Sequence, residues 1–198
     1  MQQLVLRLPM NKLIFLKYIL ALMVCGIVFS AYAATIDTQF KAHIVDNSCR
    51  ISVSNGGNIS LGIVSLNYLQ SLSPTQYSGG SAFTITVDQC GEATSRTGSQ
   101  LHLSFRPESK NFYTSTRQVF WNDVSVEESG AQNVGVVIFA DQTVMNVLNT
   151  NGDSDVVFNV DNSAYKNTYS FTARMQKADA NFNVGLVTSN VIVDVYYD

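Results

Sequence analysis

Strict alternation over Ile36-Asp37-Thr38-Gln39-Phe40-Lys41-Ala42-His43-Ile44 is the feature that most narrows the possible fold. Successive side chains of an extended strand point to opposite faces. The apolar or small residues Ile36, Thr38, Phe40, Ala42 and Ile44 therefore share one face, and Asp37, Gln39, Lys41 and His43 share the other. The same period recurs at residues 49–53, 83–87 and 101–105, while no window sustains the 3.6-residue period of a helix. Residues 134–139, Val-Gly-Val-Val-Ile-Phe, form the unbroken apolar run of a central strand. Segments 59–62, 144–148, 156–160, 168–175 and 187–197 complete the set. The pattern predicts an all-β sandwich of about eight strands with almost no helix. Residues 66–81, rich in Ser, Gly and Tyr around Pro74, read as a loop. Phe112, Tyr113, Phe120 and Trp121 are expected to cover the end of the core.

The alternating segment at 36–44 is unusual in having nothing to pair with ahead of it. Arg7, Lys12 and Lys17 precede the apolar run 18–29, and Ala31-Tyr32-Ala33 supplies the small residues of a signal-peptidase site, so residues 1–33 read as a secretory signal. Twelve apolar residues fall short of the roughly 20 a spanning helix needs. Cleavage leaves 165 residues, the size of one domain, divided here into an extension at 34–44 and a body at 45–198. Nine basic residues then face 15 acidic ones, a net charge near −6 that argues against nucleic acid as a partner. Cys49 and Cys90 remain, and in an oxidising compartment they are expected to form one disulfide.

The chemistry of catalysis is thinly represented. His43 and His102 each fall on the polar phase of an alternating segment, where a solvated imidazole is expected, and neither a Gly-x-Ser-x-Gly elbow nor a phosphate loop is present. Asn149-Thr150-Asn151-Gly152-Asp153-Ser154-Asp155 has the spaced oxygens of a calcium loop but lacks the closing Glu, so it reads as a turn. No catalytic residue, metal or cofactor is expected. A carbohydrate site could be built from the aromatics between Phe112 and Trp121, so a secreted, self-contained sugar-binding sandwich stands as the alternative reading.

From Phe40-Lys41-Ala42-His43-Ile44-Val45-Asp46-Asn47-Ser48-Cys49 onward, the chain resembles structural subunits of the chaperone-usher, type 1-like fimbriae of Gram-negative bacteria. The likeness continues through Leu61-Gly62, the approach to Cys90, the run Val134-Gly135-Val136-Val137-Ile138, Phe171-Thr172-Ala173-Arg174, and the end of the chain with its penultimate tyrosine. The resemblance implies an incomplete immunoglobulin-like sandwich whose missing strand leaves a groove. It also implies a non-enzymatic subunit, exported through the periplasm to the cell surface, that polymerises by donor-strand exchange and contributes to adhesion. Ile36, Thr38, Phe40, Ala42 and Ile44 would then fill the groove of a neighbouring subunit. Val191, Val193, Val195 and Tyr197 would border the chain's own groove and face a periplasmic chaperone before an outer-membrane usher takes over. Ala42 stands where the family usually has Gly. The six-residue lead before Phe40 is similar to that of minor adaptor subunits.

Overall fold

The computed structural model describes residues 37–42, 50–88, 99–160 and 168–197, giving the backbone alone over 37–42. Among the described residues, ten strands lie in two five-stranded sheets, all within one compact unit, Thr35–Asp198. They are β1 (Asp37–Ala42), β2 (Arg50–Val53), β3 (Asn58–Ser60), β4 (Ser81–Asp88), β5 (Ser99–Pro107), β6 (Val134–Ala140), β7 (Met145–Asn146), β8 (Val156–Val160), β9 (Thr168–Lys177) and β10 (Val191–Tyr197). One sheet runs β3-β1-β10-β5-β8 and the other β2-β4-β9-β6-β7. Every pairing is antiparallel except that of β1 with β10. The all-β sandwich read from the sequence is the architecture found.

Period-two segments do what their pattern requires. Phe83, Ile85 and Val87 of β4 and Leu101, Leu103 and Phe105 of β5 are all buried in the main core. Phe171 sits among Phe83, Phe105 and Phe158, with ring centroids at 5.6, 5.2 and 6.4 Å. Each such side chain contributes about 1.5–3 kcal/mol when removed from water.

The unbroken run of β6 has a different cause, because both of its faces are covered. Val134, Val136, Ile138 and Ala140 belong to the main core, whereas Val137 and Phe139 join Tyr113, Val119 and Ala178 in a second cluster against Trp121. The segment from Phe112 to Trp121 therefore roofs the sheet and does more than close its end. Phe120 exchanges two backbone hydrogen bonds with Val136, at 2.8 and 3.1 Å. That approach explains Gly135, where a Cβ would lie 2.0 Å from the Phe120 carbonyl oxygen. The buried Tyr113 hydroxyl donates to the Val134 carbonyl at 2.7 Å, and burial pushes its pKa up to about 12.

Residues 66–81 depart from the expected loop by opening with a short helix, α1 (Leu66–Ser71). Ser65 caps it by accepting a hydrogen bond from the Tyr68 amide, and Leu69 is its buried anchor. The chain after α1 lies across the outer face of β9, burying Thr172, Arg174 and Gln176. Arg174 donates to the Ser73 and Gln76 carbonyls, both at 2.8 Å, and Gln176 donates to that of Leu72 at 3.1 Å. The guanidinium also bonds Gln176 Oε1 and stands 5.3 Å from the centre of the Phe139 ring. Desolvation lowers its pKa below the usual value.

Candidate functional site

The alternating segment that opened the sequence forms β1, and its backbone lies inside a sheet between two strands far apart in sequence. On one side it runs antiparallel to β3, pairing Asp37, Thr38 and Gln39 with Ser60, Ile59 and Asn58. On the other it runs parallel to β10, pairing Phe40, Lys41 and Ala42 with Val191, Ile192 and Val193. Removing β1 would separate β3 from β10 by a slot one strand wide, about 10 Å at normal strand spacing.

The two edges of β10 are paired in opposite senses. Toward β5 it makes seven consecutive antiparallel pairs, from Val191↔Pro107 to Tyr197↔Leu101. Toward β1 the described pairs, from Phe40↔Val191 to Ala42↔Val193, are parallel. Parallel pairing is slightly weaker per residue than antiparallel pairing. Val191 and Val193 are fully buried, and Val195 and Tyr197 pack half-buried against the same core. These four residues thus share one face along the slot. Thr38, Phe40 and Ala42 hold register positions beside Ile59, Val191 and Val193 respectively. Ile36, Ile44, His43, Cys49 and Cys90 lie outside the described residues.

His102 departs from the expected solvated imidazole. It occupies the outer face of β5 as its alternation demands, yet it is only 7% exposed because Tyr196 of β10 stacks on it at 4.5 Å and 11°. Its Nδ1 lies 2.7 Å from Asp155 Oδ1, which also accepts from the Tyr196 hydroxyl at 3.4 Å. The imidazole therefore ties β5 and β10 to the segment entering β8. No alternation pattern could reveal this, since the cover comes from a neighbouring strand. Arg106 and Asp194 form an ion pair across the same two strands at 2.9 Å, part-exposed and worth little on its own.

The Asn/Asp-rich turn is closed by its first side chain, and its last carboxylate is taken by His102 and Tyr196. Asn149 Oδ1 accepts from the amides of Asn151 at 2.8 Å and Asp153 at 3.0 Å, and Gly152 takes a φ of +87°. Among the described residues, no group of three or more His, Cys, Asp or Glu side chains is placed to hold a metal.

Comparison with known proteins places these features among relatives. A family model described as "Fimbrial protein" matches residues 38–198. The uncharacterised fimbrial-like protein YadK of Escherichia coli strain K12 is 39% identical over 171 residues, covering 82% of this chain and 85% of that protein. Among solved structures, the CupB6 tip adhesin from Pseudomonas aeruginosa superposes with a TM-score of 0.47 at 10% identity. That match covers 82% of this chain and 42% of the adhesin, so this chain spans less than half of it.

Proposed function

Because the chain belongs to the fimbrial protein family, we propose that it is a structural subunit polymerising by donor-strand exchange, with the segment around β1 as the donor. The observation that carries the reading is the direction of β1, which pairs parallel with β10 where β10 pairs antiparallel with β5. A strand held by the weaker, parallel ladder is replaceable. An incoming strand that pairs antiparallel with β10 forms the slightly more stable ladder in its place. Donor-strand complementation in pilins is itself an instance of β-strand addition, in which backbone bonds supply affinity and alternate side chains supply register.

Ile36, Thr38, Phe40, Ala42 and Ile44 are the donor residues in this proposal. Val191, Val193, Val195 and Tyr197 line the acceptor slot and face the periplasmic chaperone before the usher delivers the subunit to the cell surface. In the isolated chain, β1 beside β10 keeps the slot filled in cis until a neighbour's segment displaces it. Cys49 and Cys90 form the disulfide of the same fold. The pair Arg50↔Asp88, the last described one before both cysteines, supports that pairing. Titration of the native mature protein with a thiol reagent is expected to find no free thiol, and two reactive thiols would remove the disulfide from the proposal.

Replacing Phe40 by Asp tests the donor register. Its position pairs with the fully buried Val191, so a carboxylate there meets an apolar slot at a cost of several kcal/mol. The mature Phe40→Asp protein is expected not to form polymers visible by electron microscopy while wild type does. Polymers of normal length from the variant would refute the register. One observation favours the self-contained sugar-binding sandwich instead, namely that β1 already completes the sheet of its own chain. That reading predicts a stable monomer that never polymerises.

A further inference from the structure

We propose that the cleft at the roof of the second sheet binds an anionic saccharide, a sugar ring bearing a carboxylate or a sulfate. The cleft encloses about 570 Å³ and is lined by Lys110, Asn111, Phe112, Tyr113, Thr114 and Arg117. It lies within the size range of small-ligand sites. Its charge runs against that of the molecule. The whole chain carries 15 acidic and 12 basic residues, yet the stretch 109–122 contains two cations and no acid.

The walls are built rather than draped. Phe112 is bridged to Phe120, and Ser115 Oγ donates to the Ala178 carbonyl at 2.6 Å. Tyr113 packs tilted against Trp121, with ring centroids at 4.7 Å, and is anchored through its hydroxyl. The 149–153 turn presses against the cleft from outside. A Cβ on Gly152 would lie 3.0 Å from the Phe112 ring and 3.1 Å from Arg117 Cβ, and its φ of +87° favours glycine there. Arg117 is held 5.8 Å from the centre of the Phe112 ring, and its Nη1 donates to the Asn151 carbonyl at 3.4 Å. Lys110 takes a left-handed φ of +60°, and its amide donates to the Pro107 carbonyl at 3.2 Å.

The parts match the demands of such a ligand. The half-buried Phe112 offers an apolar surface to the C–H face of a sugar ring, and the exposed Asn111 amide and Thr114 hydroxyl suit its hydroxyl groups. Lys110 and Arg117 meet the anionic group, with Arg117 supplying a planar fork of donors that fits two oxygen atoms at once. None of the residues lining the cleft belongs to β1, β3 or β10.

The test is calorimetric titration of the mature protein with 3′-sialyllactose, N-acetylglucosamine 6-sulfate, lactose and sodium sulfate. At least one charged sugar is expected to bind, with lactose and sodium sulfate each about tenfold weaker or more. The exposed Lys110→Ala and Arg117→Ala changes together are expected to weaken that binding about tenfold, with the melting temperature unchanged. Absence of binding by both charged sugars would overturn the proposal, as would equal binding of lactose or of sulfate alone. An unaltered affinity in the double variant would do the same.

Discussion

A mature chain lacking residues 34–44 is expected to remain free of polymers under conditions in which the full-length mature chain assembles, and to melt at a lower temperature. Both effects follow from the slot. The deletion removes every residue of β1 and with it the six described backbone pairs, three to β3 and three to β10. It leaves the slot edges of β3 and β10 without their partner, next to Ile59, Val191 and Val193, which are at most 2% exposed in the intact fold. Full exposure of three such aliphatic side chains would cost about 5–9 kcal/mol, an upper bound because the opened slot can partly collapse. A synthetic peptide of residues 34–44 should therefore raise the melting temperature of the truncated protein in a concentration-dependent way. Chaperone binding is expected to survive, because Val191, Val193, Val195 and Tyr197 are all retained. Size-exclusion chromatography and a thermal melt, with and without peptide, read the outcome. Polymers from the truncated chain, or a melt unaffected by either the deletion or the peptide, would sink the donor-strand reading.

What alternation could and could not say is clearest at β1 itself. The period-two pattern marks residues 36–44 as a strand with one apolar face, and the backbone is extended at 37–42. Alternation carries no direction and names no neighbour, so neither the parallel pairing with β10 nor the insertion beside β3 was legible. The same limit applies at His102, whose polar phase was correctly assigned but whose cover by Tyr196 depends on a strand more than ninety residues away. At β6 the apolar run announced a strand buried on both faces. The second cover proved to be the 112–121 segment, whose aromatics suggested only a cap for the core. The helix α1 escaped notice because six residues span less than two helical turns. Its stability comes from the Ser65 cap and from Leu69 docking, not from a periodic face.

Replacement of Arg174 by Leu should produce the largest loss of stability of any single change considered, and it should do so without touching the slot. The arginine sits 2% exposed on the outer face of β9, and its bonds go to the Ser73, Gln76 and Met175 carbonyls and to Gln176 Oε1. These are charge-assisted bonds to neutral acceptors, so one cation organises the backbone after α1 without forming an ion pair in any of them. Leucine fills part of the volume but removes the donors that reach the Ser73 and Gln76 carbonyls, leaving Ser73 only the Gln76 amide at 3.2 Å. A hydrogen bond to a charged group contributes about 1.5–3 kcal/mol, so losing both ties should cost about 2–5 kcal/mol after water replaces part of them. The covering segment should loosen first, because it loses two of its ties and keeps those of Gln176 to the Leu72 carbonyl, Asn146 to the Pro74 carbonyl and Tyr77 to Asp141. Amide hydrogen exchange is therefore expected to rise at residues 72–78 while β5 and β10 keep their protection. Urea unfolding measures the total. A loss below about 1 kcal/mol, or faster exchange in β10 before residues 72–78, would show that the guanidinium does not hold this segment to the sheet.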